Sequence, residues 1–290
     1  MIRTKQIKKA DLILTADWHL RETIPICRID DYPTTQWTKV DFISELQRKH
    51  NCPVIHAGDL YDYWKPSPAL LSDTIKHLPD QFYTVYGNHD LPQHSMELAH
   101  KCGIYTLYAA NAIHPQCRTD IEFLSWNEKP KSKTANILVW HIFTWTNREP
   151  FPGCSDLTAT CLLRKYPQFD LIVTGDNHKP FTSEYKGRLL VNPGSMMRMD
   201  ADQINHRPRV YLWHSETNTV EPVFIPIEKN VISREHLELK ERQNNRIEAF
   251  VGKLNDDWQV KASFEDNLKQ FESTNKIHKS VMDLVYKSIE

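Results

Sequence analysis

Asp17, His19, Asp59, Asn88, His141, Asp176 and His178 are oxygen or nitrogen donors of the kind that hard and borderline divalent metals bind. They come in short clusters: Asp17-Trp18-His19, Gly58-Asp59, Gly87-Asn88-His89-Asp90, His141 by itself, and Gly175-Asp176-Asn177-His178. Asp17 and His19 are two apart, so an extended backbone would point both to one face, where they could share a metal. Asp176 and His178 repeat that spacing. A single such cluster is ordinarily a turn or a satisfied structural histidine; the collection is hard to account for that way. The chain has only eight glycines, and Gly58, Gly87, Gly175 and Gly194 each adjoin a cluster. Glycine lets a backbone turn sharply and approach a ligand closely.

Something must hold these clusters together. Short apolar runs at 11–16, 53–57, 82–86 and 170–174 each lead into one of them. The run 137–140 precedes His141, and 188–191 precedes Asn192-Pro193-Gly194-Ser195. Runs of this length bounded by turn residues are buried strands. Between them the pattern predicts helices over about 36–49, 66–78 and 93–102. Strand–helix alternation is α/β, and in such folds ligands sit beyond the carboxyl ends of the strands, where every cluster falls. After Pro226 the texture changes. Residues 227–290 are expected to form a helical appendage to a domain spanning 1–226. Phe264, Leu268 and Phe271, then Ile277, Val281, Leu284 and Val285, are spaced as apolar stripes on two helices.

Composition narrows the rest. With 290 residues, 40% hydrophobic and 25% charged, the chain is neither disordered nor a small disulfide scaffold. No apolar run approaches the roughly 20 residues of a membrane span, and the basic N-terminus does not read as a signal peptide. The expectation is a cytoplasmic protein without membrane contact. Six cysteines without a CxxC pair read as reduced thiols. Thirty-six basic and 37 acidic residues give a net charge of −1, so any nucleic-acid binding must be local.

The ordered set D-x-H, G-D, G-N-H-D, lone His and G-x-x-H resembles the calcineurin-like metallophosphoesterases over roughly residues 10–215. Asp59-Leu60-Tyr61-Asp62 and Asn192-Pro193-Gly194-Ser195-Met196-Met197-Arg198 look most like the SbcD-type DNA repair nucleases, including bacteriophage versions. The resemblance implies an α/β two-sheet sandwich flanked by helices. It implies that Asp17, His19, Asp59 and His178 hold one divalent ion, and Asp59, Asn88, His141 and Asp176 a second. It makes His89 the catalytic histidine, oriented by Asp90. The family usually has G-H-x-H where this chain has Gly175-Asp176-Asn177-His178; an oxygen ligand there favours Mn²⁺ or Mg²⁺ over softer metals.

Paired divalent ions polarise a phosphoryl group and acidify water, which is the chemistry of phosphodiester hydrolysis. The resemblance to the SbcD-type nucleases implies a DNA exo/endonuclease whose partners are DNA, an SbcC-like ABC ATPase and a second copy of the chain. A phosphodiesterase or phosphatase on small nucleotides shares every ligand. A non-catalytic scaffold would have lost ligands that are present here. Arg198, nearest the last motif, is expected to contact substrate phosphate. Arg207 and Arg209 read equally as phosphate contacts or as a solvated loop. Tyr61, Tyr63 and Trp64 could stack on bases or pack in the core, whereas Trp18 is expected to point inward. His56, His94, His100 and His206 read as structural or surface residues.

Overall fold

A computed structural model describes residues 9–114, 118–146, 149–256 and 264–288. Ten strands follow in chain order: β1 Leu12–Thr15, β2 Val54–His56, β3 Phe82–Thr84, β4 Ile121–Leu124, β5 Ile137–Trp140, β6 Leu171–Thr174, β7 Phe181–Tyr185, β8 Arg188–Asn192, β9 Arg209–His214 and β10 Thr219–Phe224. They form two five-stranded sheets, β10-β9-β1-β2-β3 and β4-β5-β6-β8-β7. Strands β1, β2 and β3 run parallel in the first sheet, as do β4, β5, β6 and β8 in the second. Antiparallel strands (β9 and β10, and β7) close one edge of each.

Successive residues of a strand face opposite sides of its sheet. Leu12 and Leu14 of β1 join Ile137, Val139, Leu171 and Val173 in the core between the sheets. Ile13 faces outward, into a second core with Val40, Ile43, Leu70 and Ile104. Those residues come from helices α1 (Tyr32–His50), α2 (Pro68–His77) and α3 (Gly103–Ala109). On the far side, Leu138, Trp140 and Ile172 pack against Leu162 and Leu163 of α4 (Ala159–Lys165). Each inner strand is buried on both faces, which is why the sequence shows unbroken apolar runs there. The layering is therefore the expected two-sheet α/β sandwich with flanking helices.

The helix expected over 93–102 is absent. Pro92–His94 and Met96–Lys101 are 3₁₀ turns, and the α-helix begins only at Gly103. Gln93 and His94 both sit at φ 54°, which no helix accommodates. His94 Nδ1 lies 2.9 Å from the Asn88 carbonyl, so this turn is tied to one of the donor clusters.

The chain divides into two compact units, up to Ser233 and from Arg234 onward. Residues 227–233 stay with the first unit: the Ile29 amide donates to Val231 O at 3.1 Å and the Ser233 amide to Cys27 O at 2.7 Å. The second unit contains α5 (Glu235–Asp256), α6 (Phe264–Thr274) and α7 (Lys279–Lys287). Within it Leu268 and Phe271 are buried, whereas Phe264, Val281 and Leu284 are exposed and Met282 takes the buried position on α7. The stripe read along α7 is therefore displaced by one residue. Among the described residues, no helix is long and apolar enough to cross a membrane.

Candidate metal centre

The donors lie on the loops that leave β1, β2, β3, β5 and β6 at their carboxyl ends. The loop after β1 runs beside the loop after β2. Amides of Asp17, His19 and Leu20 donate to the carbonyls of Gly58, Asp59 and Leu60 at 3.1, 3.1 and 2.8 Å. The expected extended backbone through Asp17 and His19 is not what brings them together. Both occupy the left-handed region, at φ 50° and 46°, and Asp59 and Asp176 do so too, at 57° and 69°. Short polar residues and histidine tolerate that region best among non-glycines. At Gly87 and Gly58 proximity requires glycine. A Cβ on Gly87 would lie 2.0 Å from Asp59 Oδ1, and one on Gly58, itself at φ +93°, would lie 2.4 Å from His141 Nδ1.

All seven donors converge. Ligand atoms of Asp17, His19 and His178 lie within 4.8 Å of one another, as do those of Asp17, Asp59 and His141. Asp59 Oδ2 stands 3.6 Å from His19 Nε2 and 3.5 Å from His141 Nε2, between the two groups. His141 Nε2 is 2.9 Å from Asn88 Oδ1 and 4.0 Å from Asp176 Oδ1. His141 Nδ1 is 2.7 Å from the Ala57 carbonyl, which places its proton there and leaves Nε2 as the donor. Asp17 Oδ1 accepts the Asp176 amide at 2.9 Å and so joins the loops after β1 and β6.

The electrostatics call for a cation. Asp17 and Asp59 are 0% and 1% exposed. Burial first, then neighbouring carboxylates, push both well above the usual carboxylate range. His19 and His178 are held below the usual imidazole range, first by burial and, for His19, then by the facing imidazoles. Asp17 Oδ2 is buried with no hydrogen-bond partner among the described residues. Buried carboxylates beside neutral imidazoles, with an orphaned oxygen aimed among them, fit divalent metal ions.

Three residues behave otherwise than the sequence suggested. Asp90 does not orient His89. Its carboxylate accepts the amides of Leu60, Tyr61 and Gly87 at 3.2, 2.9 and 2.9 Å, clamping the loops that carry Asp59 and Asn88. Burial first, then the neighbouring Asp59 carboxylate, push its carboxyl up to about 7 against the Tyr61 and Gly87 amides. His89 Nδ1 instead faces the Asp62 carbonyl at 2.9 Å. Asp90→Ala strands three buried amides, and the expected cost is about 3 kcal/mol or more, read as a lowered Tm.

Arg198 does not reach the cluster's opening either. It is 5% exposed, and its guanidinium donates to the carbonyls of Glu228 and Ile204 at 2.6 and 3.4 Å. It ties the turn after β8 to the 227–233 segment. Arg198→Ala should therefore destabilise the fold by about 2–3 kcal/mol and leave the salt dependence of any DNA binding unchanged. Arg207 and Arg209 stack over Phe224, with guanidinium carbons 4.2 and 4.7 Å from its ring centre.

Asp62 is the site residue whose role was not seen in the sequence. Its carboxylate lies 3.8 Å from His19 Nδ1 and pairs with Arg21 at 3.1 Å, while its carbonyl faces His89. Its spacing of three from Asp59 was visible, but nothing local marked its function. Tyr61 and Trp18 are core residues, whereas Tyr63 is exposed.

Residues 12–212 match the family model described as the calcineurin-like phosphoesterase superfamily domain. The DNA double-strand break repair protein Mre11 of Haloferax volcanii is 29% identical over 176 residues, 53% of this chain and 38% of that protein. The chain thus spans well under half the length of that relative. An archaeal phosphodiesterase structure aligns at 12% identity and a TM-score of 0.41, covering 73% of this chain and 98% of that one. A metallophosphoesterase from Sphaerobacter thermophilus aligns at 13% and 0.38, covering 75% and 89%. With its two sheets, its convergent donors and the family match over most of its length, the chain belongs to the calcineurin-like phosphoesterase superfamily, and it is a metal-dependent phosphoesterase.

Proposed function

We propose that this chain is a DNA exo/endonuclease that hydrolyses phosphodiester bonds with two bound Mn²⁺ ions. In this reading it acts in DNA repair or recombination beside an ABC-type ATPase of the SbcC kind. The observation that carries the hydrolytic part is the burial of Asp17 and Asp59 among neutral imidazoles, a donor set that demands cations. Asp17, His19, Asp59 and His178 would hold one ion; Asp59, Asn88, His141 and Asp176 would hold the other. Ions there supply Lewis acidity and an acidified water. The oxygen ligands at Asp176 and Asn88 favour manganese or magnesium. His89 has its Nδ1 occupied by the Asp62 carbonyl, which leaves Nε2 to hand a proton to a leaving oxygen.

The DNA part draws support from the relative named for double-strand break repair. The ATPase part draws on the helices beyond Pro226, whose Val281 and Leu284 are exposed as a partner-binding helix would have them. A second reading, a phosphodiesterase on small nucleotides, is favoured by Asp200 and Asp202, which share a cavity with His178 and would repel a long polyanion on that side. The deciding experiment is a manganese-supplemented assay on linear duplex DNA, single-stranded DNA and a generic aryl phosphodiester. Equal rates on all three would favour the small-substrate reading.

A further inference from the structure

A cavity of about 580 Å³ opens beside the donor cluster, and His141 and Asp176 form part of its wall. The rest of the lining is rich in aromatic rings, among them Trp126, Phe143, Phe151 and Tyr166, and its charged residues are mixed, Lys129 and Lys165 with Glu128 and Asp156. Trp126 stands edge-on to His141 with ring centres 6.0 Å apart, and Phe143 and Phe151 are 6.3 Å apart. Phe151 is 52% exposed, and Trp126 and Phe143 are partly exposed, so ring surface is left facing the cavity.

Trp126 is held in place. Its amide donates to Tyr86 O at 2.9 Å, the Tyr86 amide donates to Ser125 Oγ at 3.2 Å, and Glu128 accepts the Ser125 amide at 2.7 Å. These bonds clip the 125–128 turn to the residue just before Gly87-Asn88, so the ring is pre-positioned relative to a metal donor.

A group lying in this cavity while its phosphoryl end reaches His141 and Asp176 must be covalently part of the substrate. The volume falls within the range of small-molecule sites. Flat aromatic walls suit a planar, weakly polar ring attached to a phosphate, and base–aromatic stacking is a sequence-tolerant way to hold one. The second cavity, about 750 Å³ on the other side of Asp176, is the more acidic of the two, with Asp176, Asp200 and Asp202 against the single lysine Lys179. It would repel further phosphates. Phe143 and Asp176 line both cavities and mark the divide between them.

We propose that the cavity walled by Trp126, Phe143 and Phe151 receives the unstacked nucleobase of the nucleotide adjoining the scissile phosphate. The proposal rests on the phosphodiesterase reading of the metal centre, with nucleotide phosphodiesters as substrate. It requires the base to leave its stack before hydrolysis.

Binding without turnover tests it. A dinucleotide carrying 2-aminopurine is titrated with the metal-free full chain, and its fluorescence quenching reports stacking. Thymidylyl-3′,5′-thymidine and its doubly abasic analogue then compete for the same protein. Wild type should bind the base-bearing competitor roughly ten- to a hundredfold more tightly than the abasic one. Trp126→Ala and Phe143→Ala should bring that ratio close to one, whereas Trp126→Phe should largely keep it. Phe151→Ala, at an exposed position, should lower the ratio without unfolding the protein, as checked by its Tm. Equal binding of the two competitors by wild type, or an undiminished ratio in all three alanine variants, overturns the proposal. Turnover on DNA is a separate readout. DNA cleavage without base discrimination defeats the pocket alone, and base discrimination without DNA cleavage defeats the nuclease reading while supporting the pocket.

Discussion

Asp59→Asn should yield a folded protein that carries neither metal ion and hydrolyses phosphodiesters at least roughly 10³-fold more slowly. Among the described residues Asp59 is the one carboxylate that stands within 3.6 Å of both His19 and His141, and it is 1% exposed. Its other oxygen accepts the His89 amide at 3.0 Å. Asparagine preserves the shape and one acceptor for that amide, so the loop is retained and the missing charge is what the measurement reads. Metal stoichiometry by elemental analysis, kcat/KM and the thermal midpoint, taken together, check it. Wild-type activity in this variant would remove Asp59 from the centre.

His89→Gln should behave differently. His89 is exposed at the mouth of the cluster, its ring edge-on to His19 at 4.8 Å, with Nδ1 committed to the Asp62 carbonyl. Metal content should be unchanged while kcat falls by roughly 10²–10⁴-fold, the range for losing a positioned acid. KM should change far less, because the ions and not this ring would hold the phosphoryl group. His19, Asp62 and His89 do approach one another closely enough to share an ion. Loss of metal from the His89 variant would therefore reassign it from proton donor to ligand.

The strands were legible because both faces of each inner one are buried, and an unbroken apolar run that stops at a polar turn suits little but a buried strand. The convergence of the seven candidate donors was legible because each stands just beyond such a run. What escaped the sequence were relations between side chains distant along the chain. Asp90 follows His89 directly, yet the residues it serves are Leu60, Tyr61 and Gly87. Arg198 follows the last motif, yet its partners are the carbonyls at 204 and 228. Adjacency along the chain suggested a functional contact, and the fold spent both groups on backbone polar atoms that would otherwise be buried unpaired. The missed helix start at 103 has a local cause, since left-handed Gln93 and His94 break a segment whose composition is otherwise helix-compatible.

The left-handed conformations of Asp17, His19, Asp59 and Asp176 restrict what substitutions these positions can accept. Each must be filled by a residue that both donates to a cation and tolerates positive φ, and aspartate, asparagine and histidine are nearly the whole of that alphabet. Exchange of aspartate for histidine at position 176 lies inside it, so that donor can change from oxygen to nitrogen without rebuilding its loop. Exchange for alanine or a β-branched residue removes a ligand and also adds backbone strain of about 1–3 kcal/mol. Alanine scanning would thus overstate the loss at these four positions, and at the three aspartates asparagine would read the loss of charge without that strain.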